Sequence, residues 1–199
     1  MIAFVVSNEA AKPQRASEVE RAVLLRCKSG DPIAFRAFVV RYERAVFALL
    51  SRMLGRGPHV EDLAQETFLR AYRAFASFDM DAEARPSTWL LTIATRLALD
   101  WSKRRALRLA PIEDAESVAG AATPESDRAR AELGRAIARA ARTLPDDQRA
   151  AFVLAELHDF AIAEIAVALD VPEATAKTRL FRAREKMRAQ LDAWKRGDR

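Results

Sequence analysis

Residues 162–187 read IAEIAVALDVPEATAKTRLFRAREKM: a short apolar run, a three-residue break at Asp170-Val171-Pro172, and a longer amphipathic run. A short helix, a tight turn and a second helix form the layout of a helix-turn-helix. In the second run Ala176, Leu180, Ala183 and Met187 follow at spacings of four, three and four, so they share one side that packs inward. The opposite side carries Lys177, Thr178, Phe181, Arg182, Arg184 and Arg188. Such a surface suits a major groove, where cations meet phosphates or guanine edges and a ring packs on a thymine methyl. The plain alternative is a solvated basic face, with Phe181 as a shared core position. The tight turn ahead of the helix and the ring set among exposed cations argue for a contact surface.

Working outward, Pro145 predicts the first turn of a helix running to 158, and a helix over 126–142 precedes it. The elements nearest the break are helices over 161–169 and 173–194. Before them, residues 106–125 hold Pro111, Gly120 and Pro124 among small and acidic residues, the composition of a mobile connector. Further back, Ser17-Glu18-Val19-Glu20 opens a helical pattern that Ser29-Gly30-Asp31-Pro32 ends. Apolar residues at Phe35, Phe38, Val39, Tyr42, Val46, Leu49 and Leu50 predict a helix over 33–54. Two more follow over 60–75 and 88–105, separated by an acidic stretch, Phe78-Asp79-Met80-Asp81-Ala82-Glu83. Residues 1–16 show no helical period. The expectation is an all-α chain: an extension over 1–16, a four-helix domain over 17–105, a flexible linker over 106–125, and a second helical domain over 126–199. No internal repeat is visible.

Composition supports the class. The chain is 50% hydrophobic and 31% charged, with only 6 glycines, which suits a globular helical protein. A formal charge of +5 and a pI of 9.8 make nucleic acid the first acidic partner to consider. One cysteine, Cys27, and two histidines, His59 and His158, are too few and too scattered for a structural zinc, so no metal and no cofactor is expected. Cys27 reads as a core or half-buried residue. The apolar start, Ile2 to Val6, is far too short to span a bilayer and has no basic residues ahead of it. A cytoplasmic protein without membrane insertion is expected.

The first domain has two notable stretches. Asp62-Leu63-Ala64-Gln65-Glu66-Thr67-Phe68 places a carboxylate, an amide and a second carboxylate close together on a helix. No histidine, serine or cysteine accompanies them in a catalytic pattern, and no glycine loop could hold a phosphate, so a charged docking face is favoured over an active site. A plain solvated face is the alternative. Thr88-Trp89-Leu90, followed by Asp100, Lys103, Arg104 and Arg105, puts a tryptophan near the start of a helix with a cationic far end. Trp89 is a core residue by default. Exposed, it would suit stacking on an unpaired base while the cations track the backbone.

Taken together these residues resemble the sigma-70 family, in its small extracytoplasmic-function group, over about residues 20–191. In the first domain the resemblance rests on Gly30-Asp31 with Ala34-Phe35, the run from Glu61 to Phe68 with Ala71-Tyr72, and Thr88-Trp89-Leu90 with Ile93-Ala94 and Asp100. In the second it rests on Leu144-Pro145, Gln148-Arg149, Glu164-Ile165-Ala166, Leu169, Val171-Pro172, Thr175 and the run from Lys177 to Arg184. It implies a non-enzymatic initiation factor whose Asp62, Gln65 and Glu66 dock on the clamp helices of the largest RNA polymerase subunit. It implies that Thr88, Trp89, Arg96, Lys103, Arg104 and Arg105 melt and read the minus-ten element. It also implies that Thr175, Lys177, Thr178, Phe181, Arg182 and Arg184 read the minus-thirty-five element, and that an anti-sigma protein holds the factor inactive. Arg96 stands where the family often has asparagine, Ala161 where a serine cap is common, and Asp170 where glycine usually makes the left-handed turn. The loop before Thr88 is also longer and more acidic than usual. Two other classes compete: an autonomous helix-turn-helix regulator, which leaves the Asp62 to Phe68 face idle, and a helical adapter that binds only protein.

Overall fold

A computed structural model describes residues 18–80, 85–107 and 124–197, all helix, turn or short connection. The extension over 1–16, the acidic residues 81–84 and most of the expected linker lie outside the described residues.

The first half opens with α1 (Glu18–Lys28) and α2 (Pro32–Leu54). Asp31 starts α2: its carboxylate accepts from Ile33 N at 2.8 Å and Ala34 N at 3.2 Å, and Pro32 fills the first turn, where no N–H is needed. These bonds, with the Arg26 guanidinium 2.6 Å away, hold the Asp31 carboxyl below the usual carboxylate range. Helix α3 (Pro58–Ala74) runs into a 3-10 turn at Phe75–Ser77, and α4 (Pro86–Leu107) completes the half. Phe75, 1% exposed, sits at the centre of an aromatic cluster, with Phe38 at 5.0 Å, Trp89 at 5.3 Å and Phe78 at 5.6 Å between ring centroids. Cys27 is buried in the same core, and burial pushes its thiol pKa up.

The second half consists of α5 (Pro124–Arg142), α6 (Asp146–His158), α7 (Ile162–Leu169) and α8 (Glu173–Arg196). Ala176, Leu180, Ala183 and Met187 of α8 are all buried, as their spacing predicts. Asp170 ends α7 in the left-handed conformation (φ 52°, ψ 54°), which a short polar side chain tolerates. Ala161 has no side chain to cap α7. Glu164 supplies half of a capping box instead, its Oε2 accepting from Ala161 N–H at 2.7 Å.

The two halves pack on each other. The buried apolar residues of α2, α3 and α4 are continuous with Val153, Leu154, Ile165, Ala176 and Leu180 of the second half. A smaller cluster of Ala140, Ala141, Leu144, Ala183 and Met187 fills the space between α5 and α8. Helix α4 is therefore central, touching α2, α3, α6 and α7, whereas α8 lies at one edge on α5, α6 and α7.

Candidate nucleic-acid interface

Helix α8 presents its cations and its ring to solvent. Lys177, Thr178, Phe181 and Arg182 are exposed, Phe181 at 60%, and Thr175 is half-buried beside the turn. A large apolar ring left in water among cations gains by being covered, and a groove edge offers that cover. Thr178 donates its hydroxyl proton to Ala174 O at 2.8 Å, which orients the oxygen as an acceptor. Arg184 is placed differently. Its guanidinium binds Glu156 of α6 at 2.7 Å, and Arg179 binds Asp147 at 2.9 Å, so these two cations tie α8 to α6. Of the six side chains expected to face duplex DNA, Arg184 is the one that forms an ion pair among the described residues.

Helix α4 behaves otherwise. Trp89 is half-buried and packs on Phe75 and Phe78, the latter at 4.9 Å, so the ring is part of the core while the residue keeps some exposure. Thr88 is 8% exposed and donates to Glu164 Oε1 of α7 at 3.0 Å. Arg96 donates through Nη2 to the Val167 carbonyl of α7 at 2.7 Å. At the far end Lys103 and Arg104 are exposed, while the Arg105 guanidinium lies over Trp101, 5.3 Å from the ring centroid. His59 of α3 stacks on the same indole at 4.4 Å and 13°. Gly57 makes room for that imidazole, since a Cβ there would lie 2.7 Å from its Cε1.

The acidic stretch of α3 is a surface. Asp62 and Gln65 are exposed, Glu66 is half-buried and pairs with Arg70 one turn on at 2.7 Å, and Leu63, Ala64, Thr67 and Phe68 hold the opposite side in the core. Among the described residues no group of three His, Cys, Asp or Glu side chains is arranged to hold a metal ion. No helix among them is long and apolar enough to cross a membrane.

Three side chains that shape this site drew no functional reading from sequence. Arg149 reaches four carbonyls: Ala141 at 3.0 Å, Arg142 at 3.0 Å and Leu144 at 2.9 Å around the end of α5, and Met53 of α2 at 2.5 Å. Glu164 caps α7 and holds Thr88, and His59 seats Trp101. Gln148-Arg149 and Glu164 belonged to the family pattern, but the partners that join the two halves, Met53 for Arg149 and Thr88 for Glu164, are distant in sequence.

Known proteins resemble this chain in sequence and in fold. The model for sigma-70 region 2 matches residues 38–108, and that for sigma-70 region 4 matches residues 134–187. The extracytoplasmic-function RNA polymerase sigma factor SigW of Bacillus subtilis is 36% identical over 174 residues, covering 82% of this chain and 92% of its own. The chain belongs to the sigma-70 family, in its extracytoplasmic-function group. The sigma-E factor of Escherichia coli strain K12 is 35% identical over 177 residues, covering 83% of this chain and 91% of its own. In three dimensions the chain resembles the sigma factor RpoE of Bartonella quintana, solved in complex with the anti-sigma factor NepR. That likeness has a TM-score of 0.66 at 22% identity and covers 79% of this chain and 96% of that one. The function is that of a promoter-directing transcription initiation factor, and the autonomous regulator finds no support among these relatives.

Proposed function

We propose that this sigma factor acts purely by binding, in the cytoplasm, as two reading units served by one polymerase contact. The units are residues 17–105 and 126–199, joined by a linker over 106–125. Asp62, Gln65 and Glu66 form the contact for core RNA polymerase, since α3 anchors them by its buried side and leaves their polar groups outward. Thr175, Lys177, Thr178, Phe181 and Arg182 read the minus-thirty-five duplex. Thr88, Trp89 and Arg96 read the melted minus-ten strand, and Lys103, Arg104 and Arg105 hold its phosphates. Arg184 serves this surface as a strut rather than a reader, because Glu156 occupies it. An anti-sigma protein is the expected inhibitor.

The observation that carries this reading is the exposed Phe181, 60% accessible between Lys177 and Arg182 on a helix whose other side is locked in the core. A helix so fixed brings its readers to DNA with little ordering cost. The test is run-off transcription with purified core polymerase and a promoter library. Glu66→Lys abolishes transcripts by loss of core binding, while Arg182→Ala keeps core binding and loses promoter choice. A chain that binds duplex DNA but neither associates with core polymerase nor yields transcripts sinks the proposal.

A further inference from the structure

We propose that α5 carries a second nucleic-acid surface, a row of three arginines that holds a phosphodiester backbone without reading its sequence. Arg135, Arg139 and Arg142 follow at spacings of four and three, so they share one side of α5, and all three are exposed. The other side is fixed in the protein. Ala136, Ala140 and Ala141 are buried, the last two packed with Leu144 against Ala183 and Met187 of α8. Ala183 and Met187 belong to the buried stripe of α8, and Thr178, Phe181 and Arg182 lie across that helix from it. The row and the exposed side of α8 therefore point to opposite sides of the α5–α8 pair. The row is a surface separate from the one proposed for the minus-thirty-five duplex, and it stands without that reading.

Its charges are unmatched. Among the described residues none of the three arginines has a carboxylate within ion-pair distance, and Glu132, the one acid between residues 132 and 142, is exposed and unpaired as well. Like charges one turn apart repel and weaken a helix unless an anion lies across them. The negative end of the helix dipole attracts Arg139 and Arg142, but its carbonyls are already served: Arg149 bonds those of Ala141, Arg142 and Leu144. The length of the row suits phosphates. Seven residues of helix rise about 10 Å, and one strand of a duplex carries a phosphate about every 3.4 Å of axis, so the row spans about three of them. Each guanidinium can meet a phosphate through two parallel N–H donors. Gly134 and Ala138 border the row, and a Cβ added at Gly134 would meet nothing within 4 Å. Packing within the chain does not ask for that glycine, which is unfavourable inside a helix, whereas a bare flank lets a sugar-phosphate chain come close. No amide, hydroxyl or ring stands on this side between residues 132 and 142, so the contact carries no sequence information.

The test compares the full chain with the triple variant Arg135→Gln, Arg139→Gln, Arg142→Gln. Fluorescence anisotropy across a salt series follows three short probes of random sequence: single-stranded RNA, single-stranded DNA and duplex DNA. The variant keeps its melting temperature, since all three side chains are exposed. It binds at least one probe about tenfold more weakly, and the slope of log affinity against log salt falls by about two for a single strand or about three for a duplex. The probe with the largest loss identifies the source of the backbone. Replacing the three arginines by lysine keeps most of the slope, because the charge is retained. A control removes the same charge elsewhere, through Arg36→Gln, Arg44→Gln and Arg73→Gln, all exposed on the first half. Equal losses in the control show that net charge alone governs binding and overturn the row. Unchanged binding of all three probes overturns it too. Lost association with core polymerase at unchanged probe binding overturns it in favour of an acidic protein surface. Should the glutamine variant misfold, the single reversal Arg139→Glu reads the same slope, and an unchanged slope there overturns the proposal. Promoter duplex still binds the glutamine variant through α8, so failure of the row leaves the promoter reading intact.

Discussion

Helices α4 and α8 are of similar length, 22 and 24 residues, and both end in cations, yet the fold treats them in opposite ways. Helix α8 keeps one narrow buried stripe, with Thr175, Arg179 and residues 191–194 half-buried, and exposes the rest. Helix α4 buries Thr88, Leu90, Leu91, Ala94, Thr95, Leu97 and Ala98, which occupy about half of its circumference, and Trp89, Thr92 and Ile93 on the rest are half-buried. An edge helix needs one apolar side and is free to use the other for recognition. A central helix has less surface to spare, so the groups proposed for recognition also serve as packing groups. Thr95 and Thr92 satisfy their hydroxyls on Leu91 O and Thr88 O inside α4 itself, at 2.8 Å each.

The largest effect that would sharpen this contrast comes from Phe75→Ala, which empties the centre of the aromatic cluster behind Trp89. The expected cost is about 3–5 kcal/mol. Because the core runs through both halves, denaturation followed by tryptophan fluorescence and by far-UV dichroism gives one coincident transition. A second half that melts separately would break the picture of a shared core.

Next in size, Phe181→Ala and Arg182→Ala each weaken duplex binding by about 1–3 kcal/mol without lowering the melting temperature, since both side chains are exposed. Trp89→Ala does the reverse in part, lowering thermal stability as well as strand binding, because its ring packs on Phe75 and Phe78. Titrations and melting curves on the same samples separate the two helices. A loss of stability for Phe181→Ala equal to that for Trp89→Ala would erase the distinction between them.

Arg184→Ala has a smaller consequence: less than about 1 kcal/mol of stability, as for other exposed pairs, and a loss of duplex affinity well below that of Arg182→Ala. Equal losses in the two variants would return Arg184 to the readers. The smallest effect is pH-dependent. Burial at the end of α6, with Arg52 of α2 adding repulsion against some opposing attraction from Asp159, lowers the His158 pKa from its ordinary value of 6.5. A base depressed in the folded state contributes stability above its unfolded pKa and loses it as pH falls from there through the folded value. Melting temperature therefore declines on acidification below about pH 6.5, and His158→Gln flattens that part of the slope.

The edge helix was legible because its pattern is local. Four buried positions at helical spacing, a Pro-marked turn and a run of cations sit within 26 residues, and the left-handed Asp170 is the polar substitute that such a turn tolerates. The acidic side of α3 was legible for the same reason, its core residues and its carboxylates alternating within a few turns. The all-α class and the positions of the eight α-helices among the described residues also follow from periodicity and punctuation, to within about two residues at most ends.

What composition and spacing determined, then, was which segments are helices, which side of α8 meets solvent, and which polar groups are suited to nucleic acid. Only the tertiary structure decided which of those groups are free. Thr88 and Glu164 are 76 residues apart, Arg96 and Val167 71, and Arg149 and Met53 96. Arg184 and Glu156 are 28 apart on different helices. Helical periodicity reports a side chain's angle about its own axis and nothing about what the neighbouring helix presents there. Hydrogen bonds across that gap are set by how α4 seats on α7, and that seating decided that α8 presents its polar groups to solvent while α4 spends Thr88 and Arg96 on its neighbour.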